Sequence, residues 1–360
     1  MRWFFGFRKY EHKDDFLPWV TVVIPAYNEE ETIGETIDSI LSQDYPLKKI
    51  IVVDDCSTDN TNTIATSKGV TVLKTLKNTG KKASAQRYGF EHSDTPIVIV
   101  VDADTIIVQG SIYKLIQPLS DKNSLSSCGY VIPQKLDAFW ERMRMVEYFQ
   151  GLGLYKNAQE NMNCPMVSSG CFTAFRVDIL NKLGGLPEDS IAEDMAITWM
   201  GHIAGYKIHY VQDAVCYPKD PENFQQYKRQ IMRWYRGMFQ CIHDFKYSIF
   251  KKPLLGIMVV YYIVFGIITS PILSFALVIY YHFISNSINM TLFLILLAIE
   301  LSIGFSVVAW NGYKHKHFLL SLLYFPTVYI SNIINWAAMI VSLFQELVLK
   351  NRLALWEKGH

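Results

Sequence analysis

The sequence predicts an α/β domain on a mostly parallel sheet, followed by an amphipathic interface helix and C-terminal transmembrane helices. Three observations carry this prediction. Up to about residue 221, short apolar, β-branched runs alternate with segments whose apolar residues recur at helical spacing, the pattern of parallel strands joined by crossover helices. Phe224, Tyr227, Ile231, Trp234, Met238, Ile242 and Phe245 then step by three or four residues with basic residues between them, an amphipathic stripe. From Pro253 onward the runs 253–284, 290–311 and 317–348 are almost free of charge, each at least as long as the ~20 residues that cross a bilayer.

The strands follow in order. "WVTVVIPAYNEEETIGETIDSIL" opens with an apolar strand and passes through a loop, Ala26 to Glu30, into a helix carrying Ile33, Ile37, Ile40 and Leu41 on one face. "KKIIVVDDCSTDNT" repeats the scheme with an acidic loop and a helix start rich in capping residues, and "VTVLKT" and "PIVIVVDADT" supply two more strands. A strand apolar on both faces is buried on both. Glu29, Asp54, Asp55, Asp102 and Asp104 therefore fall at the C-terminal edge, where open α/β sheets bind ligands. Asp38 and Asp59 read as solvated or capping side chains.

The acids of "DAD" repel each other, and a divalent cation offsets that repulsion. Carboxylates plus phosphate oxygens are the usual surroundings of Mg2+ or Mn2+ at a nucleotide site. Farther on, "SIAEDMAITWM" puts Glu193 and Asp194 just before a helical pattern, where a helix N-terminus favours ionised carboxylates. Gln230, Arg233 and Trp234 share one turn of the amphipathic helix, and its basic residues Lys228, Arg229, Arg233 and Arg236 suit a diphosphate or a lipid headgroup surface. A P-loop is excluded: Gly80-Lys81 lacks the earlier glycine, Thr75 standing there, and Lys82 occupies the Ser/Thr place.

At the level of the whole chain, 360 residues are half apolar with a net charge of +1, and no nucleic-acid partner is expected. The expected organisation is an N-terminal segment 1–19 on a membrane surface, an α/β domain 20–221, the amphipathic region 222–252, three transmembrane helices in 253–348 and a basic tail 349–360. "MRWFFGFRKYEHKDD" is too short and too charged to span a bilayer or to be a cleaved signal peptide. Basic "FKYSIFKK" and "GYKHKH" against uncharged "SNSINM" orient the large domain to the cytoplasm of a multi-pass protein of the cell membrane. Three crossings conflict with the basic tail "KNRLALWEKGH", so the last run also reads as re-entrant or interfacial. Pro271 and Pro326 are expected to kink their runs. The six cysteines show no C-x-x-C spacing and are expected as reduced thiols.

In combination, "VVIPAYNEEETI", "IIVVDDCSTDNT", "NTGKKASAQRYG", "VVDADT", "SSGCFTAFR", "AEDMAITW" and "QIMRW" resemble, in order, the family 2 inverting glycosyltransferases of the membrane-bound processive synthase type. These make cellulose, chitin, hyaluronan and poly-N-acetylglucosamine, and the fifth and sixth segments look closest to the poly-N-acetylglucosamine, chitooligosaccharide and hyaluronan synthases. The resemblance implies a GT-A type nucleotide-sugar-binding domain. Pro25, Tyr27, Glu29, Asp54, Asp55 and Lys81 would line the donor side, with Asp54 and Asp55 at the base and ribose. Asp102 and Asp104 would hold the diphosphate and its Mg2+ or Mn2+. Asp194 would be the general base, supported by Glu193, while Gln230, Arg233 and Trp234 would lie beside the donor pyrophosphate, Trp234 also meeting the acceptor.

The implied activity is transfer from a nucleotide sugar, expected to be a UDP-sugar such as UDP-N-acetylglucosamine or UDP-glucose, to a growing β-linked saccharide. Three membrane helices leave a place for an accessory membrane subunit. Two alternatives stand beside it: single-sugar transfer to a membrane lipid or polyprenyl phosphate, and a non-catalytic membrane scaffold for another synthase.

Overall fold

The computed structural model describes residues 16–268 and 290–353. Residues 1–15, Pro271 with the rest of the first apolar run, and the tail from residue 354 lie outside that range. Strands β1 (Val20–Ala26), β2 (Leu47–Asp54), β3 (Thr71–Lys74) and β4 (Ile97–Val101) run parallel, in the spatial order β3-β2-β1-β4. Val20, Val22, Val23, Ile24, Val52 and Val98 to Val101 are buried from both sides, and each such side chain contributes roughly 1.5–3 kcal/mol. Helices α1 (Ile33–Leu41), α2 (Thr61–Ser67) and α3 (Lys82–Glu91) connect these strands. Register aligns Ala26 with Asp54, so the loops after β1 and β2 leave the sheet side by side.

Beyond β4 the eight-stranded sheet becomes mixed. β7 (Phe172–Arg176) runs antiparallel to β4, β6 (Ser124–Val131) antiparallel to β7, β8 (Lys207–Pro218) parallel to β6, and β5 (Thr105–Ile107) antiparallel to β8. The sheet expected to be mostly parallel is thus parallel across β3-β2-β1-β4 and mixed beyond, where the strands carry the polar residues that the apolar-run pattern does not reveal. β6 reads "SLSSCGYV" yet is buried throughout. Its serines are accommodated because Ser124 Oγ meets His209 Nε2 at 2.8 Å and Ser126 Oγ meets Ser168 Oγ at 3.0 Å, which satisfies groups that would otherwise be costly to bury.

Helix α4 (Phe139–Gln150) and helix α5 (Glu193–Ala204) flank this second half. The amphipathic stripe forms the 26-residue helix α6 (Phe224–Ile249). Its start is fixed by Asn223, whose side chain accepts from Gln226 N–H at 3.1 Å while the Gln226 side chain accepts from Asn223 N–H at 3.2 Å, a reciprocal cap. Tyr227, Ile231 and Met238 of the stripe are buried, whereas Phe224 and Trp234 remain exposed. Gly237 lets α6 pass close to the entry of α5, since a Cβ there would lie 2.5 Å from Ala192 Cβ.

The apolar region contributes α7 (Pro253–Ile268), α8 (Met290–Lys314), α9 (Phe318–Tyr324) and α10 (Thr327–Leu343). The third run is interrupted at Phe325-Pro326, as expected of a proline there. Among the described residues, Thr327–Val348 is long and apolar enough to cross a membrane, and Pro253–Val264 is a shorter apolar helix. Asn311 of α8 is buried against the α/β domain and accepts from Tyr130 Oη–H at 3.2 Å.

Candidate active site

The loops leaving β1 and β2 are laced together before any ligand is considered. Asn28 adopts a left-handed backbone, φ 53°, and its side-chain oxygen accepts from Thr58 N–H at 2.8 Å. Asp54 is fully buried and accepts from Ser57 N–H at 2.8 Å and from Asn62 Nδ2 at 3.1 Å. Asp55 accepts from Thr75 Oγ1 at 2.7 Å and from Thr79 Oγ1 and N–H at 3.1 and 3.2 Å. Both acids thus organise loop backbone at the sheet edge. Pro25 sits in β1 opposite Val53, Tyr27 is exposed, and Glu29 is anchored through its N–H to Thr61 Oγ1 at 2.7 Å. Asp59 accepts from Thr61 N–H at 3.0 Å, and Asp38 pairs with Lys68 at 2.5 Å, the capping and surface positions expected of them.

Two carboxylate pairs meet around one lysine. At the end of β4, Asp102 N–H donates to the Cys171 carbonyl at 3.2 Å, and the Asp104 carbonyl accepts from Lys219 N–H at 3.1 Å. The "DAD" turn is therefore pinned by β7 on one side and by the exit of β8 on the other. Lys82, at the start of α3, ion-pairs with Asp102 and donates to the Gly170 carbonyl at 3.2 Å. Gly170 N–H in turn donates to Asp194 Oδ2 at 3.2 Å, while Asp194 Oδ1 accepts from Met195 N–H at 2.8 Å. A Cβ at Gly170 would stand 3.2 Å from Asp194 Oδ2 and 3.5 Å from Lys82 Nζ, so glycine is the residue that fits this gap.

Each pair contains one buried member with a displaced titration. Burial, then repulsion from Asp102 and Glu29, pushes the Asp104 carboxyl up to about 8, against the pull of Lys82. Glu193 is pushed up to about 7 by burial and by Asp194, against the pull of Lys82 and Arg233. Burial opposes the charge on Lys82, but Asp102, Glu193 and Asp194 outweigh it and hold the ammonium above its ordinary range. Lys81 points elsewhere, to Asp189 at 3.3 Å, with its side chain 36% exposed against 11% for Lys82. A narrow cleft bordered by Lys81, Lys82, Asp189 and Glu193 opens on one side, and another bordered by Gln86, Gly170, Glu193 and Asp194 on the other.

The oxygen donors fit a hard divalent cation. Asp104 is a buried carboxyl crowded by two other carboxylates, the electrostatic setting that a cation relieves. Among the described residues no cluster of three or more His, Cys, Asp or Glu side chains could hold a metal. An ion at Asp102 and Asp104 would need ligand oxygens to complete its shell.

The third group hangs on α6. Arg233 is close enough to Glu193 to lower its titration. Gln230 and Trp234 turn to a residue outside every motif named above, Arg144 of α4, which donates to Gln230 Oε1 at 2.5 Å and lies 5.0 Å from the Trp234 ring centroid. Asp220, just past β8, faces the same guanidinium at 3.6 Å. A signal for Arg144 existed: in "ERMRMVEYF" it is a charge between Met143, Met145 and Val146, on the apolar side of a helical pattern.

Comparison with known proteins bears on the family and the fold. Residues 21–184 match the family described as Glycosyl transferase family 2. The chain is 27% identical over 363 residues to the poly-beta-1,6-N-acetyl-D-glucosamine synthase of Staphylococcus epidermidis, covering 93% of this chain and 84% of that protein. The synthase of the same description from Staphylococcus aureus (strain COL) is 29% identical over 227 residues, 62% of this chain and 55% of that protein. In structure, the chain resembles a mannosyltransferase from Pyrobaculum calidifontis solved with GDP-Man and Mn2+, with a TM-score of 0.66 at 21% identity, covering 95% of this chain and 90% of that one. Residues 21–184 thus carry the match to the family 2 glycosyltransferase domain, and the chain shares its fold with a solved glycosyltransferase.

Proposed function

We propose that this glycosyltransferase is a membrane-embedded, metal-dependent, inverting enzyme that adds N-acetylglucosamine from UDP-N-acetylglucosamine to a growing β-linked saccharide. The observation that carries the reading is the meeting of Asp102, Lys82, Gly170 and Asp194, from four separate segments, on one rim of the sheet. Similarity along most of the chain to poly-beta-1,6-N-acetyl-D-glucosamine synthase supports the choice of sugar. The apolar helices α7 to α10 support membrane embedding, with 253–348 as three crossings and the domain on the cytoplasmic side.

Asp194 acts as the base. Two backbone N–H groups hold its carboxylate at the mouth of a cleft, where it withdraws the proton of an acceptor hydroxyl. That oxygen attacks the anomeric carbon from the face opposite the diphosphate, inverting its configuration. Glu193 supports Asp194 from behind. Lys82 and Arg233 neutralise charge that grows on the leaving diphosphate. Mg2+ or Mn2+, held by Asp102 and Asp104, would add a further positive centre on those phosphate oxygens. Asp54, Asp55, Pro25, Tyr27 and Glu29 shape the edge that receives base and ribose. Gln230 lies beside the pyrophosphate, and Trp234 presents its exposed ring to the acceptor sugar.

The purified chain in detergent with Mn2+ should release UDP from UDP-N-acetylglucosamine and extend an N-acetylglucosamine oligosaccharide into a ladder. Asp104→Asn should lower that release at least ~100-fold, on the scale of losing one preorganised electrostatic contact. Undiminished turnover in the variant would refute the metal role. One lipid-soluble product in place of a ladder would instead identify single transfer to a membrane lipid.

A further inference from the structure

Helix α4 carries a guanidinium on its buried face. Arg144 is 0% exposed, and an isolated charge there would be strongly destabilising. It meets a partner on each side: one amino group donates to Glu147 at 2.7 Å and the other to Gln230 Oε1 at 2.5 Å, while Nε makes no hydrogen bond and faces the Asp220 carboxylate at 3.6 Å. The rings of Tyr227, Trp234 and Tyr148 lie 4.4, 5.0 and 5.5 Å from the guanidinium carbon. Glu147 also accepts from Asn335 Nδ2 of α10 at 2.7 Å and from Tyr227 Oη–H at 3.2 Å. One side chain thus joins α4, the exit of β8 and α6, and through Glu147 the helix long enough to cross a membrane.

We propose that Arg144 is a positioning residue for the acceptor side of the site, acting through Trp234, while its bond to Gln230 gives it a lesser hold on the donor side. The inference rests on the proposed transferase reading, in which Trp234 meets the acceptor. Two physical points support it. A glutamine amide rotates almost freely about its last torsion, and a guanidinium only donates, so Arg144 fixes the oxygen end of Gln230 inward and turns its NH2 end the other way. The Trp234 ring is 38% exposed while the guanidinium holds it from the protein side, so a mobile surface indole becomes a platform of fixed orientation. Lysine cannot replace this arrangement, because a single ammonium lacks the planar fork that serves Glu147 and Gln230 together and stacks on rings.

The test is a double-mutant cycle on the full chain in detergent with Mn2+, UDP-N-acetylglucosamine and an N-acetylglucosamine disaccharide as acceptor. Arg144→Lys should raise the acceptor KM by about 10- to 100-fold, the range of one lost charge-assisted hydrogen bond, with a smaller change in the donor KM. Trp234→Phe should do the same. The double variant should be no more than about twofold worse than the poorer single, because the two act as one unit. If Arg144→Lys does not fold, Glu147→Gln, which loosens the guanidinium without removing it, should show a smaller split of the same kind. Losses that multiply in the double variant, or that fall equally on donor and acceptor KM, would overturn the role of Arg144 alone. A wild-type chain that folds but transfers no sugar would overturn the proposed function and this inference together.

Discussion

The two carboxylate pairs of the rim reach the same condition by different routes. Asp102 and Asp104 leave a strand, so their charges are set by each other, by Glu29 and by burial. Glu193 and Asp194 open a helix, and Asp194 is held by two backbone N–H donors. In each pair one carboxyl is buried and raised, Asp104 to about 8 and Glu193 to about 7, while its neighbour lines the open side. Lys82 sits between the pairs, ion-paired to Asp102 and drawn by Glu193 and Asp194. The lesson is that one buried cation can balance two carboxylate pairs that reach the rim from different elements. Crowding by two further carboxylates sets Asp104 apart, whereas Asp194 is distinguished by the two backbone N–H donors that fix its carboxylate for its proposed role as base.

The largest expected effect separates the pairs by chemistry. Asp194→Asn keeps the shape and both N–H contacts in part but cannot take a proton, so kcat should fall by ~10²–10⁴-fold with the KM for UDP-N-acetylglucosamine little changed. The outcome to watch is a variant that retains its kcat but loses donor affinity. That would move Asp194 from base to donor binding and erase the distinction between the pairs.

Much of this rim was legible in the sequence. The apolar strands β1, β2 and β4, each followed by an acid, placed Glu29, Asp54, Asp55, Asp102 and Asp104 at the sheet edge, because burial on both faces leaves an unmistakable composition. Glu193-Asp194 at a helix start and the α6 stripe were readable for the same reason, periodicity. What stayed hidden was long-range pairing. "KK" in "NTGKKAS" does not reveal which of Lys81 and Lys82 turns inward. Arg144 is 86 residues from Gln230, so no local pattern links them. Strand β6 escaped because buried serines look like a loop until their partners, Ser168 and His209, are placed beside them.

The next effect removes the shared cation. Lys82→Met matches the length of the stem without the charge and leaves Asp102, Glu193 and Asp194 uncompensated in a mostly buried place. Breaking a buried pair by removing one partner costs about 3–5 kcal/mol, and the Asp102 side chain, 27% exposed, brings the expectation to the lower end. Thermal unfolding followed by fluorescence should show the loss, and UDP release should fall with it. If only the donor KM rose while the acceptor KM and stability held, Lys82 would belong to the strand pair alone.

The smallest effect is a change of slope with pH. Glu193 holds its proton in the folded chain up to about 7, whereas a carboxyl in the unfolded chain releases it near ~4.3. Between those values the folded state binds the proton that the unfolded state has lost, so stability falls as pH rises through the window and levels off above it. Glu193→Gln is neutral throughout and should flatten that slope. The gain should be largest at pH 8 and absent at pH 4. Coupling to Lys82 should keep it to about 1–2 kcal/mol, since a tenfold change in proton affinity corresponds to ~1.4 kcal/mol and the neighbouring groups share their protons. Melting temperatures across pH 4 to 8 for the wild type and the variant measure it directly. Parallel curves would mean that Lys82 already keeps Glu193 ionised in the folded chain, so that Asp104 alone carries a raised carboxyl and the two pairs differ in kind, not only in origin.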